Sequence, residues 1–298
     1  MNAVWETLEK IGIVPVVRID DPERAVPLAG ALAAGGIPCA EITFRTAHGA
    51  EAIRRISGEA PGTLVGAGTV LTPAQVDLAV EAGARFVVSP GLNPRVVERC
   101  LEKGIPVAPG CSSPSDIERA IELGLDVVKF FPAEQSGGLD FIRAVAAPYP
   151  GIRFMPTGGI GAGNIARYIA FDRVLACGGS WMVPADKIAA DDMEGITALS
   201  RGAMLAMLAF AVDHLGIAPD SACAQAGFLG NLLGFPTVPA DGGRIVISTN
   251  CLPRAVAYLE RGGASFDHDS AERDSGGRLA AIRLKGEVFG LSVHIRQK

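Results

Sequence analysis

The 298-residue chain is poor in the residues that carry several common kinds of chemistry. Only His48 among its four histidines lies in the first two hundred positions, too few imidazoles there for a metal centre of several ligands. Six cysteines (Cys39, Cys100, Cys111, Cys177, Cys223 and Cys251) occur without a CxxC spacing. That argues against a zinc site and for reduced, mostly buried thiols in a cytoplasmic protein. No run of five basic residues occurs and the net charge is −5, so nucleic acid and membrane partners lack an electrostatic footprint. Apolar runs such as 203–212 are too short to span a bilayer. The opening, with Glu6, Glu9 and Lys10, lacks the basic-then-apolar order of a secretory leader. No glycine cluster follows the first apolar run at 13–17, which removes a dinucleotide fingerprint. The expectation is an enzyme or binding protein for small molecules, with no metal and no cofactor.

What the chain does have is a repeating unit. From residue 13 to about 177 a short β-branched run, a Gly- or Pro-bearing turn and an amphipathic stretch recur every twenty-odd residues. Strands are expected at 13–17, 39–44, 63–66, 86–89, 106–109, 127–130, 153–156 and 174–177. Helices are expected at 23–34, 50–57, 73–82, 94–103, 114–123, 141–147 and 162–170. Several open on a capping residue followed by proline, as in Asp21-Pro22, Thr72-Pro73, Asn93-Pro94 and Ser113-Pro114. Several close at glycine, namely Gly83, Gly104 and Gly124. Eight such units predict an α/β fold, a (β/α)₈ TIM barrel at the small end of its class. A doubly wound open sheet is the alternative, but chemistry-bearing residues follow many strands rather than one switch point.

The pattern breaks after Pro184. A helix over 193–208 is expected to bridge to a smaller α+β module, giving domains at 1–190 and 212–298 with a connecting helical segment at 191–211. In the module, strands are expected at 212–217, 244–248, 279–285 and 290–296, and helices at 221–233 and 253–261.

Two residues stand out chemically. In the second strand, Glu41, Thr43 and Arg45 alternate with Ile42 and Phe44, so the polar set is expected to face the barrel interior. A buried acid and base need a reason, and a structural ion pair is the plain one. Of the chain's six lysines, Lys129 alone falls within a predicted barrel strand, in the apolar run Val127-Val128-Lys129-Phe130-Phe131. It sits near the carboxyl end, where such barrels place reactive groups, and an amine there can form an imine with a carbonyl compound. Thr157-Gly158-Gly159 follows the seventh strand and Gly178-Gly179-Ser180 the eighth; loops at those ends commonly hold phosphate.

The stretches VPVVRI, EITFRT, VGAGTVLTPAQ, FVVSPGLN, VVKFFPAE, PTGGI and CGGSWMVP appear in order over residues 11–184. In them the chain resembles the 2-keto-3-deoxy-6-phosphogluconate (KDPG)/4-hydroxy-2-oxoglutarate (KHG) aldolases, which are class I, Schiff-base enzymes. The resemblance implies that Lys129 forms the imine and that Glu41 is the general acid and base. It further implies that Arg45 and Thr69 hold the keto-acid carboxylate and that Pro90 and Phe131 pack beside the pyruvate methyl. Thr157 would contact the aldehyde-derived part, while Gly158, Gly159, Gly179 and Ser180 would bind the phosphate. A keto acid or phosphorylated sugar acid is the implied partner, and a homotrimer the implied assembly. Gly110-Cys111-Ser112-Ser113 departs from the usual family pattern, which bears on substrate preference rather than mechanism. The tail, opening on Val212-Asp213-His214-Leu215-Gly216-Ile217, resembles the glyoxalase/vicinal-oxygen-chelate superfamily. Its second repeat opens on Gly243-Arg244-Ile245 where a histidine would be expected, so a structural or oligomerisation role is the reading.

Three functions remain to be weighed. The first is cleavage of KDPG to pyruvate and glyceraldehyde 3-phosphate, with 4-hydroxy-2-oxoglutarate as a further substrate and cleavage of the phosphogalactonate isomer as the alternative. The second is a metal-dependent glyoxalase-type activity of the tail, and the third a non-catalytic phosphate-sensing barrel.

Overall fold

The apolar run at the start of the repeating pattern forms β1 (Ile13–Val17), in which Ile13, Val14 and Val17 are fully buried. Such uniform burial is expected where a parallel strand is covered on both faces. The computed structural model describes residues 2–217, 234, 236–288 and 290–298, and divides into two compact units, Met1–Met207 and Leu208–Lys298.

The first unit continues through β2 (Cys39–Thr43), β3 (Leu64–Gly68), β4 (Val87–Val88), β5 (Val107–Ala108), β6 (Gly110–Cys111), β7 (Val127–Phe130), β8 (Arg153–Pro156) and β9 (Cys177–Gly179). One parallel sheet has the order β5-β4-β3-β2-β1-β9 and a second the order β6-β7-β8. The strand expected at 106–109 is β5; after Pro109, which has no N–H for a ladder, pairing resumes beyond the expected bound as β6. Parallel bridges Phe154↔Val174 and Thr157↔Gly178 connect β8 with the segment around β9. The eighth expected strand, 174–177, is shifted: Val174 makes only a bridge, and regular pairing begins at Cys177 opposite Ile13.

Helices alternate with these strands: α1 (Ala3–Ile11), α2 (Ala25–Ala34), α3 (Gly49–Glu59), α4 (Pro73–Glu81), α5 (Pro94–Glu102), α6 (Pro114–Glu122), α7 (Gly138–Ala146), α8 (Ile165–Ile169), α9 (Ala185–Ala189) and α10 (Met193–Leu208). The expected caps form. Thr72 and Ser113 make reciprocal capping boxes with Gln75 and Asp116, and Asn93 accepts from the Arg95 N–H. α1 was not expected from the sequence; Asn2 caps it, and it buries Val4, Trp5, Leu8 and Ile11. α8 is shorter than the helix expected at 162–170, while α7 starts three residues before the one expected at 141. α10 packs as part of the first unit: the Thr197 hydroxyl donates to the Ala31 carbonyl of α2 at 3.1 Å.

The second unit holds β10 (Ala211–Ile217), β11 (Thr237–Pro239), β12 (Arg244–Thr249), α11 (Leu252–Arg261), β13 (Phe266–Arg273), β14 (Leu279–Val288) and β15 (Leu291–Gln297). They form one sheet of order β11-β10-β12-β15-β14-β13. Leu252 and Val256 of α11 pack with Phe266, Ile282 and Ile295 to make its core. The helix expected at 221–233 lies outside the described residues. β13 escaped the sequence reading because FDHDSAER is a sheet-edge strand buried mainly at Phe266, so it carries little apolar alternation. Among the described residues no helix is long and apolar enough to cross a membrane.

Candidate active site

Every candidate residue of the first unit lies in the carboxyl half of a parallel strand or just beyond it. β2 delivers Glu41 and β7 delivers Lys129, both buried, with the Lys129 side chain 6 % exposed and that of Glu41 1 %. Lys129 Nζ stands 3.5 Å from Glu41 Oε1, an ion-pair distance at which no hydrogen bond forms. Neither carboxylate oxygen has a hydrogen-bond partner among the described residues. Burying an acid without satisfying its oxygens is destabilising by several kcal/mol, so a purely structural ion pair is a poor account of this arrangement. The Phe131 ring lies beside the amine, with its centroid 5.2 Å from Nζ.

Close backbone packing fixes the carboxylate. A Cβ on Gly68, at the end of β3, would stand 2.2 Å from Glu41 Oε1 and 2.6 Å from its Cγ. Glycine is therefore required beside Glu41, and the sequence signal for it was the Gly-Ala-Gly-Thr run, which had drawn attention only to Thr69. Thr69 follows with φ +56°, a left-handed conformation that is uncommon for a β-branched residue. Pro90, half-buried, ends the β4 segment; its carbonyl oxygen approaches Gly110, whose strand partner is Lys129.

At the far side, Thr157 follows β8, is buried, and bridges to Gly178 of β9. Gly158 and Gly159 then take φ +102° and +77°, turning the chain sharply at the strand end. Gly179 ends β9 and Ser180 follows it, exposed.

One expected placement is corrected. Arg45 does not continue the inward face of β2, because that strand ends at Thr43 and the chain turns; Arg45 is exposed. The Phe44 N–H makes the last ladder bond, to the Gly68 carbonyl, and beyond it the turn is held in part by the Thr46 hydroxyl donating to the Ile19 carbonyl at 2.6 Å. Thr43, by contrast, is buried, and its hydroxyl donates to the Val17 carbonyl at 2.8 Å. The structure thus brings Lys129, Glu41 and Phe131 together directly, with Pro90 one strand away, and leaves Arg45 and Ser180 at an exposed rim.

Clefts occur elsewhere as well: about 310 Å³ beside Asn2, Arg85 and Lys103 near the amino ends of β4 and β5, and about 350 Å³ between α2 and α10. Neither is lined by buried ionisable groups, so chemistry rather than volume locates the candidate site. Among the described residues no group of three His, Cys, Asp or Glu side chains gathers at metal-binding distance.

Comparisons with known proteins agree on one family. The sequence profile of the family described as KDPG and KHG aldolase matches residues 4–199. A 2-dehydro-3-deoxy-phosphogluconate aldolase of Treponema pallidum is 56 % identical over 201 residues, covering 67 % of this chain and 96 % of the relative. A KHG/KDPG aldolase of Escherichia coli is 46 % identical over 192 residues, 64 % of this chain and 90 % of the relative. Among solved structures, a KDPG aldolase from Legionella pneumophila, with pyruvate captured as a covalent carbinolamine, aligns with TM-score 0.65 and 36 % identity. It covers 68 % of this chain and 98 % of that one. A 2-keto-3-deoxy-6-phosphogluconate aldolase of Zymomonas mobilis with 3-phosphoglycerate aligns with TM-score 0.63 and 40 % identity, over 67 % and 94 %.

Proposed function

The chain belongs to the KDPG and KHG aldolase family, and from that premise we propose that the Lys129–Glu41 pair is its catalytic centre. The protein is a class I aldolase, a carbon–carbon lyase that cleaves KDPG to pyruvate and glyceraldehyde 3-phosphate. The observation that carries the site assignment is the buried amine 3.5 Å from an otherwise unpartnered buried carboxylate.

The chemistry follows from those two groups. The Lys129 amine, having passed a proton to Glu41, adds to the C2 ketone, and Glu41 relays the proton that lets the carbinolamine lose water to a protonated imine. Glu41, as its carboxylate, then takes the proton of the C4 hydroxyl, the C3–C4 bond breaks, and its electron pair enters the imine to give an enamine and the aldehyde. Glu41 returns a proton to C3, and hydrolysis releases pyruvate and the free amine. Arg45 and Thr69 are assigned to the substrate carboxylate, and Pro90 and Phe131 to the methyl or methylene of the three-carbon unit. Thr157 is assigned to the aldehyde part, and Gly158, Gly159, Gly179 and Ser180 to the phosphate. The left-handed pair at 158–159 supports this last assignment, since it turns backbone at a strand end without Cβ atoms. Action on 4-hydroxy-2-oxoglutarate belongs to the same proposal, and relative rates on it, KDPG and the phosphogalactonate isomer test it.

The same reading extends to architecture. The two parallel sheets, the shared β5–β6 run and the bridges from β8 support a closed (β/α)₈ barrel. Residues 1–190 are read as the aldolase domain, 191–211 as a helical connection and 212–298 as a glyoxalase-like module. The strand–helix–strand–strand–strand run from β12 to β15 supports that likeness. Its role is read as structural: the positive charges of Arg244 and Arg283 act on His294, and like charge disfavours a bound cation beside it. A cytoplasmic homotrimer completes the reading. It is supported by free buried thiols and by exposed Leu78, Leu101 and Ile121 on α4, α5 and α6, apolar surface that a second copy could cover.

Borohydride reduction with pyruvate tests the centre. A mass increase corresponding to reduced pyruvate is expected on Lys129 and is absent in Lys129→Ala; an adduct on another lysine, or none, removes the assignment.

A further inference from the structure

We infer that Asn164 is a positioning residue that aims the backbone N–H of Ile160, beside that of Gly159, at the substrate phosphate; the inference rests on the phosphate assignment above.

Three consecutive carbonyls in the turn after β8 are each held from outside it. The Ala133 N–H donates to the Thr157 carbonyl at 2.8 Å, and the Glu134 N–H donates to the Gly158 carbonyl at 3.1 Å. Asn164 Nδ2 donates to the Gly159 carbonyl at 2.9 Å. These peptide bonds are trans, and in a trans peptide the N–H points opposite to the preceding C=O. Pinning the carbonyls of Gly158 and Gly159 therefore turns the N–H groups of Gly159 and Ile160 to the other side of their peptide planes. The Gly158 N–H faces Gly178, the bridge partner of Thr157, whereas among the described residues no acceptor is present for the N–H groups of Gly159 and Ile160. Ile160 is buried, so its unpaired N–H is costly unless a ligand satisfies it. Two unpaired amides side by side suit a phosphate dianion.

Two of the three pins are backbone groups of the chain leaving β7, the strand that carries Lys129. The third is a side chain in an unusual use. Asn164 occupies the N-cap position of α8, yet makes no capping bond to that helix. Its amide oxygen instead accepts from the Gly161 N–H at 2.8 Å while its nitrogen holds Gly159. Both ends of the side chain are thus committed to the turn. Gly159 is the exposed tip of that turn, and no other bond to its carbonyl is present among the described residues. Without Asn164, the Gly159–Ile160 peptide is free to rotate and the Ile160 N–H loses its fixed direction. A backbone donor held in advance costs no reorganisation when the anion arrives, and that advantage is what the substitution removes.

The test compares Asn164→Ala and Asn164→Asp with the wild type on KDPG and on its dephosphorylated counterpart, with inorganic phosphate as competitor. The wild type is expected to show a far lower KM for the phosphorylated substrate and competitive inhibition by inorganic phosphate. Asn164→Ala should raise KM for the phosphorylated substrate about tenfold and weaken phosphate inhibition in parallel. Its kinetics on the dephosphorylated substrate, and pyruvate trapping at Lys129, should stay unchanged. Asn164→Asp should be worse on the phosphorylated substrate alone, because it replaces the donor to Gly159 by an acceptor and adds a negative charge. Equal losses on both substrates would mean a merely structural role and overturn the inference, as would wild-type KM values in both variants. A wild type that ignores the phosphate overturns the phosphate assignment and the inference with it. Should Asn164→Ala not fold, Asn164→Asp, whose trapping at Lys129 reports a folded centre, decides the question.

Discussion

The buried pair of Lys129 and Glu41 shows what a single residue contributes beyond its own chemistry. Either ionised group would be costly alone in an apolar interior, and their 3.5 Å separation leaves both carboxylate oxygens without a hydrogen bond. Such unsatisfied polarity is characteristic of sites where function, rather than stability, selects the residue. Glu41→Gln keeps the shape and removes the proton-transfer group. We expect kcat to fall by about a hundredfold or more with KM for KDPG little changed, since a positioned general acid and base contributes roughly 10²–10⁴. Wild-type kcat in that variant would remove Glu41 from the mechanism. Gly68→Ala should produce a comparable loss without altering either ionisable group, because its Cβ would occupy the space of the carboxylate, 2.2 Å from Oε1. Steady-state kinetics of the two variants side by side check whether carboxylate position or mere presence matters. Glu41 and Lys129 were both legible in the sequence, one as an acid in an alternating strand and the other as the lone strand lysine. Gly68 was not, because a glycine's neighbour across a sheet depends on register.

At the scale of elements, punctuation was more legible than length. Asp21, Thr72, Asn93 and Ser113 all cap the helices or turns they were expected to open, since capping is a bond between residues two or three apart. The capping box of Thr72 and Gln75 should be worth about 1 kcal/mol. Thr72→Ala is accordingly expected to lower the melting temperature of the chain by a few degrees. Its kcat should be unchanged; calorimetry and kinetics on one preparation check both. Short strands were harder. The β4 pair Val87–Val88 and the β9 run Cys177–Gly179 are defined by where neighbours stop pairing, which local composition does not record. Arg45 was misplaced for a related reason: alternation continues in the sequence past Thr43, whereas pairing with β3 stops at the Phe44 N–H and Thr46 turns to the Ile19 carbonyl.

For the whole molecule, burial also creates a pH limit. Enclosure pushes the Cys100 thiol from 9.0 up to about 12. Cys111 is pushed to about 12 by burial first and the Asp116 carboxylate second. Folded, both thiols keep their protons where the unfolded chain releases them, so unfolding gives up protons above pH 9. The stability they support is complete below pH 9 and is lost as pH rises toward 12. The melting temperature should therefore fall between pH 8 and pH 10.5, and fall less steeply in a Cys100→Ala, Cys111→Ala double variant. Identical slopes in the two proteins would assign the alkaline loss to other groups.

The sequence by itself determined the alternation of strands and helices between residues 13 and 177 and singled out the two residues proposed as the catalytic pair. These are local facts: period, caps, and a lysine embedded in an apolar strand. Tertiary structure alone decided that Lys129 and Glu41 meet, that Gly68 makes room for them, and that the turn after Thr157 is held by Ala133, Glu134 and Asn164. Those are contacts across strands and loops, fixed by parallel register and by which backbone groups remain unpaired at the strand ends. Composition and spacing along one chain do not specify either.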